Sequence, residues 1–436
     1  MADEPLATFW RGLWPGTIRG ILGRIPAAVC LALLGLCTVS LMAAPPQEFH
    51  QKPKVRAITA FVRLYRARYR AQIAETLKML RTAKAAIEQG GYEVESIRIT
   101  TQPFPEMIRG FSRKEAIAFL RAYDELAVKE SFDTSIGPAM QRDTDDPGNV
   151  DLLGEVLSAS RTLEASVFIA GEDGLHLKSI RAAAKLIKYL EEHSPRSQAN
   201  FNFAATAMLE PYAPFYPGSY HLGDGKRFAI GLESANIVEE VFAQTGNNSS
   251  AAEKLTAALA THARAIEAIA KKVAEQTGWT YVGLDPTPAP LKEVSIGAAI
   301  EKFTGVRFGS SGTMAAAAVI TKAVKAVPVK QIGYAGLMLP VLEDSRIAQR
   351  WSEGAVNMDA LLAYSAVCGT GLDTIPLPGD ITVEQLERIL SDVATLAVKW
   401  HKPLTARLQP VAGKKAGERS DFDDPFLTNA TIQPLP

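Results

Sequence analysis

Cys368 is the only cysteine outside an apolar N-terminal stretch, and the residues around it could do chemistry. It lies in Tyr364–Asp380, read YSAVCGTGLDTIPLPGD, with Asp373 five residues later and then Asp380. Gly369, Gly371, Pro376, Pro378 and Gly379 set the backbone, so the stretch reads as a loop of defined shape. A loop thiol near backbone N–H groups suits a thiolate nucleophile or proton donor, with Asp373 as its acid–base partner. The competing reading is a buried cysteine acting as a small hydrophobe. His221, in Pro217-Gly218-Ser219-Tyr220-His221, has the most loop-like and aromatic setting of the histidines. It is the candidate acid or base, against a structural hydrogen-bonding role. No HxxxH or HExxH occurs, which argues against a histidine zinc site.

Other residue sets suit binding. Gly309-Ser310-Ser311-Gly312-Thr313 precedes a helical pattern from Met314. Glycines and hydroxyls at a helix start expose N–H groups to a phosphate or carboxylate, although plain capping by Ser311 or Thr313 explains them as well. No lysine follows the second glycine, so this is not a P-loop. Arg98, with Thr101 and Gln102 just past its strand, could clamp a substrate carboxylate; a structural ion pair is the alternative. Glu233, Asp285 and the Glu343-Asp344 pair stand at strand-end positions, where hard oxygens suit magnesium or calcium and where capping or ion pairing with Arg346 competes.

The elements that must position these residues alternate. Strands are expected over 55–64, 92–100, 165–170, 201–208, 227–231, 281–284 and 331–339. Helices are expected over 66–89, 113–127, 152–160, 180–192, 251–277, 314–326, 358–367 and 386–400. Residues 134–151 read as a polar turn region, and the chain from Gln409 as a tail over the surface. This alternation argues for an α/β fold with much parallel pairing in one domain, residues 47–436, most simply a barrel.

The chain of 436 residues is 22% charged, with 47 basic and 47 acidic residues. No net positive field exists to attract nucleic acid. Residues 25–44 are apolar or small and follow Arg11, Arg19 and Arg24, so 1–24 reads as a basic region and 25–46 as a signal peptide or membrane anchor with its linker. Cys30 and Cys37 lie there, which leaves the body one thiol and no internal disulfide.

Several stretches together resemble one family. They are Arg98-Ile-Thr-Thr-Gln-Pro-Phe, Pro214-Phe-Tyr-Pro217 to His221, Phe228-Ala-Ile-Gly-Leu-Glu233, Gly309 to Thr313, Gly333-Tyr-Ala-Gly-Leu-Met-Leu-Pro-Val-Leu-Glu-Asp344, and the Cys368 stretch. From Lys54 to Asn429 the chain is similar to the domain-of-unknown-function 711 family, also labelled pyruvate-formate-lyase-like. The resemblance implies a ten-stranded α/β barrel like that of glycyl radical enzymes, with the Cys368 loop threaded into its centre. Activity does not follow from fold. Glycyl radical enzymes carry a C-terminal glycine in an arginine-valine-x-glycine-aromatic setting, whereas here Lys414 follows Gly413 and Glu418 follows Gly417. The family is usually cytosolic and lacks an apolar leader, so the N-terminus departs from it.

The leading expectation is an enzyme acting on a small anionic metabolite by acid–base or thiol chemistry, through Cys368, Asp373 and His221, without radical chemistry. Arg98, Gln102 and Gly309 to Thr313 would bind the anion, and no motif names a cofactor. A non-catalytic small-molecule sensor using the same cavity is the alternative, as is a structural protein held at a membrane by residues 25–44. Self-association is compatible with each.

Overall fold

The computed structural model describes residues 49–435, and from Phe49 on the chain is one compact unit. Ten strands occur among these residues: β1 Lys54–Phe61, β2 Val94–Thr100, β3 Asp133–Pro138, β4 Leu163–Gly171, β5 Gly174–Leu175, β6 Phe203–Ala207, β7 Arg227–Glu233, β8 Thr280–Asp285, β9 Gly371–Pro378 and β10 Leu404–Val411. They form one mixed α/β sheet in the order β8-β7-β1-β2-β3-β4-β6-β10-β9, with the short β5 hooked onto β4. Strands β1, β2, β3, β4 and β6 run parallel to one another. β7 and β10 flank them antiparallel, and each has a parallel outer neighbour, β8 and β9.

The segment 330–341 joins the two ends of this sheet. Leu284 N donates to Lys330 O at 2.8 Å on the β8 side, and Val341 N donates to Asp373 O at 3.0 Å on the β9 side. The wall is therefore a closed ring made of two antiparallel halves, and this segment takes the middle place in the second half. It was expected to be a strand, but it forms only isolated bridges at Gln331 and Pro340. Its N–H groups go elsewhere: Tyr334 and Ala335 donate to the Asp285 carboxylate at 2.8 and 3.1 Å, and Gly336 donates to Thr287 Oγ1 at 3.1 Å. Gly333 has φ +79, and a side chain there would meet Asp285 Oδ2 at 2.4 Å. Hydrogen bonds that a ladder would have used hold a kinked crossing instead.

Strand periodicity of two divides the wall residues between the outer apolar layer and the barrel interior. On β1, Ile58 and Ala60 join the main apolar core, while Thr59 points inward and donates to Pro214 O at 2.8 Å. The interior is filled by the loop between β6 and β7. Ser135 Oγ donates to Ser219 O at 2.8 Å, Thr100 Oγ1 donates to Tyr216 Oη at 3.0 Å, and Thr100 and Ser219 hydroxyls meet at 2.9 Å. Leu209, Ala213, Phe215, Ala289, Tyr334 and Met338 make a small second apolar cluster. Outside, long helices bury one stripe each. Val383–Trp400 opens on a Thr382–Gln385 capping box and buries Leu386, Leu390, Val393, Ala394 and Ala397.

Three further expectations differ from what forms. Residues 133–138, read within a polar turn region, are β3, because Thr134, Ser135 and Ile136 sit fully buried between β2 and β4. Half of the loop around Cys368 is β9; it follows the irregular segment, where ladder hydrogen bonds are few and prolines are tolerated. The chain from Gln409 completes β10, and beyond it Phe422, Leu427, Ala430 and Ile432 are buried, so the tail is packed. Among the described residues no helix is long and apolar enough to cross a membrane. The basic region 1–24 and the apolar stretch 25–46 lie outside the described residues.

Candidate functional site

A cavity of about 210 Å³ opens inside the barrel, and charged side chains line it. That is below the ~300–1,000 Å³ of sites for drug-sized molecules, so it suits a small metabolite. Arg56 of β1, Arg98 of β2, Asp133 of β3, Glu164 of β4, Asp373 of β9 and Arg407 of β10 all face it, with Glu343 just after the crossing segment.

Two β-bulges aim these groups. The β1–β7 register skips between Val55 and Ala57, so Arg56 is the extra residue and turns inward beside Ala57. Its Nη1 contacts Glu233 at 2.9 Å and Glu95 at 3.2 Å. The β10–β9 register shifts between Ala406 and Leu408, where Asp373 and Thr374 together oppose Arg407, and Thr374 takes φ +47. Arg407 Nε then donates to Asp373 Oδ1 at 2.6 Å, and its Nη2 donates to Glu343 Oε2 at 2.8 Å.

Arg98 donates from Nε to Ser96 Oγ at 2.9 Å and lies 3.7 Å from Asp133. Its guanidinium stacks over the Tyr216 ring at 4.8 Å, and both terminal nitrogens stay free of protein partners. A planar fork held flat on an aromatic face and open at its tip is the geometry that receives a carboxylate. Glu164 has no hydrogen-bond or ion-pair partner in the described chain. Burial pushes its carboxyl up to about 8, with Asp133 and Glu343 adding to the rise while Arg98 and Arg407 oppose it. It is therefore a protonated acid at neutral pH. Glu233 is likewise raised to about 8, by burial first and by Glu95, against Arg56.

The residues singled out in the sequence are dispersed. Arg98 and Asp373 line the cavity. Cys368 is 1% exposed, packs in the main apolar core and is absent from the cavity wall; Lys402 Nζ donates to its backbone carbonyl and to Ser365 O. His221 is buried off the cavity with neither ring nitrogen in hydrogen-bond geometry, and its ring lies 5.7 Å from that of Tyr212. Burial first, then Arg227, lowers it to about 4, and the nearby Gly223 backbone only partly offsets this. Gln102 clamps both backbone groups of Leu64, at 2.9 and 2.8 Å.

The loop Gly309, Ser310, Ser311, Gly312, Thr313 lies away from the cavity. Thr313 Oγ1 accepts from Gly309 N at 3.0 Å, so this hydroxyl closes the turn itself. Asp285 accepts from Thr287 N and Oγ1 as well as from Tyr334 and Ala335, and burial raises it to about 6. Its oxygens hold the crossing segment. The Glu343-Asp344 pair splits: Glu343 faces the cavity, while Asp344 accepts from Ser295, Ile296, Gly297, Arg346 and Ile347 and so caps two helices. Among the described residues no group of three or more His, Cys, Asp or Glu side chains has metal-site geometry.

Arg56, Glu164 and Arg407 were missed as site residues, and Glu343 was singled out only as a metal-ligand candidate. Their signal was present: Thr162, Glu164 and Ser166 alternate with Leu163, Ala165 and Val167, and Thr405, Arg407 and Gln409 alternate with Leu404, Ala406 and Leu408. In a barrel whose outer face is covered by helices, such polar positions point to the interior.

A family model described as "Uncharacterised ACR (DUF711)" matches residues 49–423. A UPF0210 protein of Pyrobaculum aerophilum is 33% identical over 371 residues, covering 79% of this chain and 80% of that protein. One from Pyrobaculum islandicum is 30% identical over 383 residues, covering 81% and 82%. Among solved structures, the anaerobic ribonucleotide reductase from Thermotoga maritima in complex with dATP and CTP aligns over 81% of this chain and 75% of that chain, at 7% identity and a TM-score of 0.34. A similarity that low carries no argument about function.

Proposed function

This chain belongs to the DUF711 family, and we propose that its barrel cavity is an active site for acid–base chemistry on a small carboxylate-bearing metabolite. The observation that carries the reading is Glu164: a carboxyl without a protein partner, facing the cavity that Arg98 also faces, and protonated up to about pH 8. Arg98 binds the substrate carboxylate through its two free nitrogens. Glu164 gives a proton to the bound molecule and takes one back, the role for which a carboxylic acid with a raised pKa is suited. Cys368 takes no part, since it does not line the cavity. Proton transfer is preferred to glycyl radical chemistry because Gly413 and Gly417 sit at φ +75 and +91, with open space where a side chain would be. Turn geometry accounts for both.

The test begins with mass spectrometry of metabolites retained by the purified protein. A carboxylate is expected with wild type and with Glu164→Gln, and is expected to be absent with Arg98→Ala. Turnover of that compound is expected in wild type and not in Glu164→Gln. Equal retention by Arg98→Ala would refute the clamp. Binding without any turnover would make the cavity a sensor's. The exported or membrane-anchored location read from residues 25–44 belongs to the same proposal. Fractionation of cells making the full chain, or the chain from Gln47, tests it: equal solubility of both would overturn it.

A further inference from the structure

We propose, building on the carboxylate reading above, that the cavity's ligand is a zwitterion of amino-acid type, with an ammonium group seated opposite the carboxylate. The inference comes from how charge is divided around the barrel. In the ring order, β9 stands five places from β2, directly across the interior, and β10 stands beside β9. The β2 side presents Arg98, open at its tip, with Asp133 3.7 Å from its Nε and the uncharged Glu164 on β4. The β9 side presents the opposite polarity. There Arg407 pairs with two carboxylates, Asp373 and Glu343, while Arg56, held by Glu233 and Glu95, also attracts Glu343 from β1. Arg56 is directly paired with Glu233 and Glu95, so the hydrogen-bonded partners on this wall are two carboxylates to one guanidinium, and Asp424 adds a further carboxyl to the cavity lining.

The two carboxylates are also incompletely used. Arg407 takes Asp373 Oδ1 and Glu343 Oε2, so Asp373 Oδ2 and Glu343 Oε1 have no hydrogen-bond partner. Both side chains are only 9% exposed and line the cavity. These two oxygens are open to the cavity, and an ammonium group there supplies three donors and the missing charge. A second carboxylate on the ligand would instead meet like charge. The arrangement therefore selects for a molecule with one carboxylate and one ammonium, against both the monocarboxylate and the dicarboxylate of equal size.

Isothermal titration calorimetry on the full-length protein tests this with three probe sets. The first is the twenty L-amino acids together with β-alanine, 4-aminobutanoate and 5-aminopentanoate. The second holds their deamino counterparts, and the third the dicarboxylates of equal chain length. At least one amino acid is expected to bind about tenfold or more tighter than its deamino counterpart, with the matching dicarboxylate weaker still. Deamino compounds or dicarboxylates binding as tightly as the amino acids would overturn this inference while leaving the Arg98 reading intact. No binding from any set would overturn both. Glu343→Gln, checked for an unchanged melting temperature, is expected to lose the discrimination and to keep monocarboxylate binding. Unchanged discrimination in Glu343→Gln would also count against the ammonium seat.

Discussion

Replacing Glu164 by glutamine isolates the group on which the acid–base reading depends. Glutamine keeps the shape of the protonated carboxyl and removes its titration. Glu164 goes from an ordinary 4.5 in the unfolded chain to about 8 in the fold. The folded pKa is the higher one, so the contribution to stability is fully present below pH 4.5 and is lost as pH rises through about 8. At 1.36 kcal/mol per pH unit the ceiling is about 5 kcal/mol, and cavity water lowers it to about 2–4 kcal/mol. With ~2.1 cal/mol/K of unfolding entropy per residue, a unit of this length shifts by about 1 °C per kcal/mol. Thermal unfolding followed by circular dichroism from pH 5 to pH 9 is the assay. Glu164→Gln is expected to melt within about 1 °C of wild type at pH 5 and ~2–4 °C above it at pH 9. Asp285, Asp344 and Glu233 titrate over the same range in both proteins, so the difference between the two curves removes their share. Parallel curves would refute the raised pKa. A variant less stable than wild type at pH 9 would show instead that Glu164 is an ion-pair partner of Arg98.

Cys368→Ala is expected to cost about 1–2 kcal/mol in urea unfolding and to leave carboxylate affinity unchanged, and a loss of binding would return the thiol to the site. His221→Phe removes a buried imidazole whose folded pKa of about 4 lies below the unfolded 6.5. The contribution of His221 is present above pH 6.5 and lost as pH falls toward 4, so the variant should gain up to about 3 kcal/mol on wild type over that interval. A constant gap across an acid titration would contradict it. At Gly309, φ is +99 and a side chain would meet Ala355 O at 2.1 Å, so Gly309→Ala should cost about 3–5 kcal/mol by urea midpoint. A cost under about 1 kcal/mol would show that the loop is free to shift.

Alternation and composition made the α/β class legible, because helices such as Ala251–Thr277 and strands such as Arg227–Glu233 carry their periods openly. The crossing segment looked like a strand because Leu337 and Leu339 are apolar and fully packed. What decides its shape is distant in sequence: Asp285 and Thr287 take the N–H groups of Tyr334, Ala335 and Gly336. The same distance explains the candidate site. Glycine, proline and histidine draw the eye to loops, and loop residues such as His221, Gln102 and Thr313 are occupied in holding backbone or buried without partners. The groups that face the cavity are ordinary strand residues, several turned by bulges that no local pattern announces. Polar residues at every second position of a strand are read as a solvent face when the sheet is imagined open. When helices cover the outside, only the inside remains for them, and a charged residue there is costly unless something answers it. Arg56 and Arg407 are paired within the chain, whereas the tip of Arg98 and the carboxyl of Glu164 take no hydrogen bond or ion pair from it. That contrast within one wall separates groups that hold the barrel from groups that wait for a ligand.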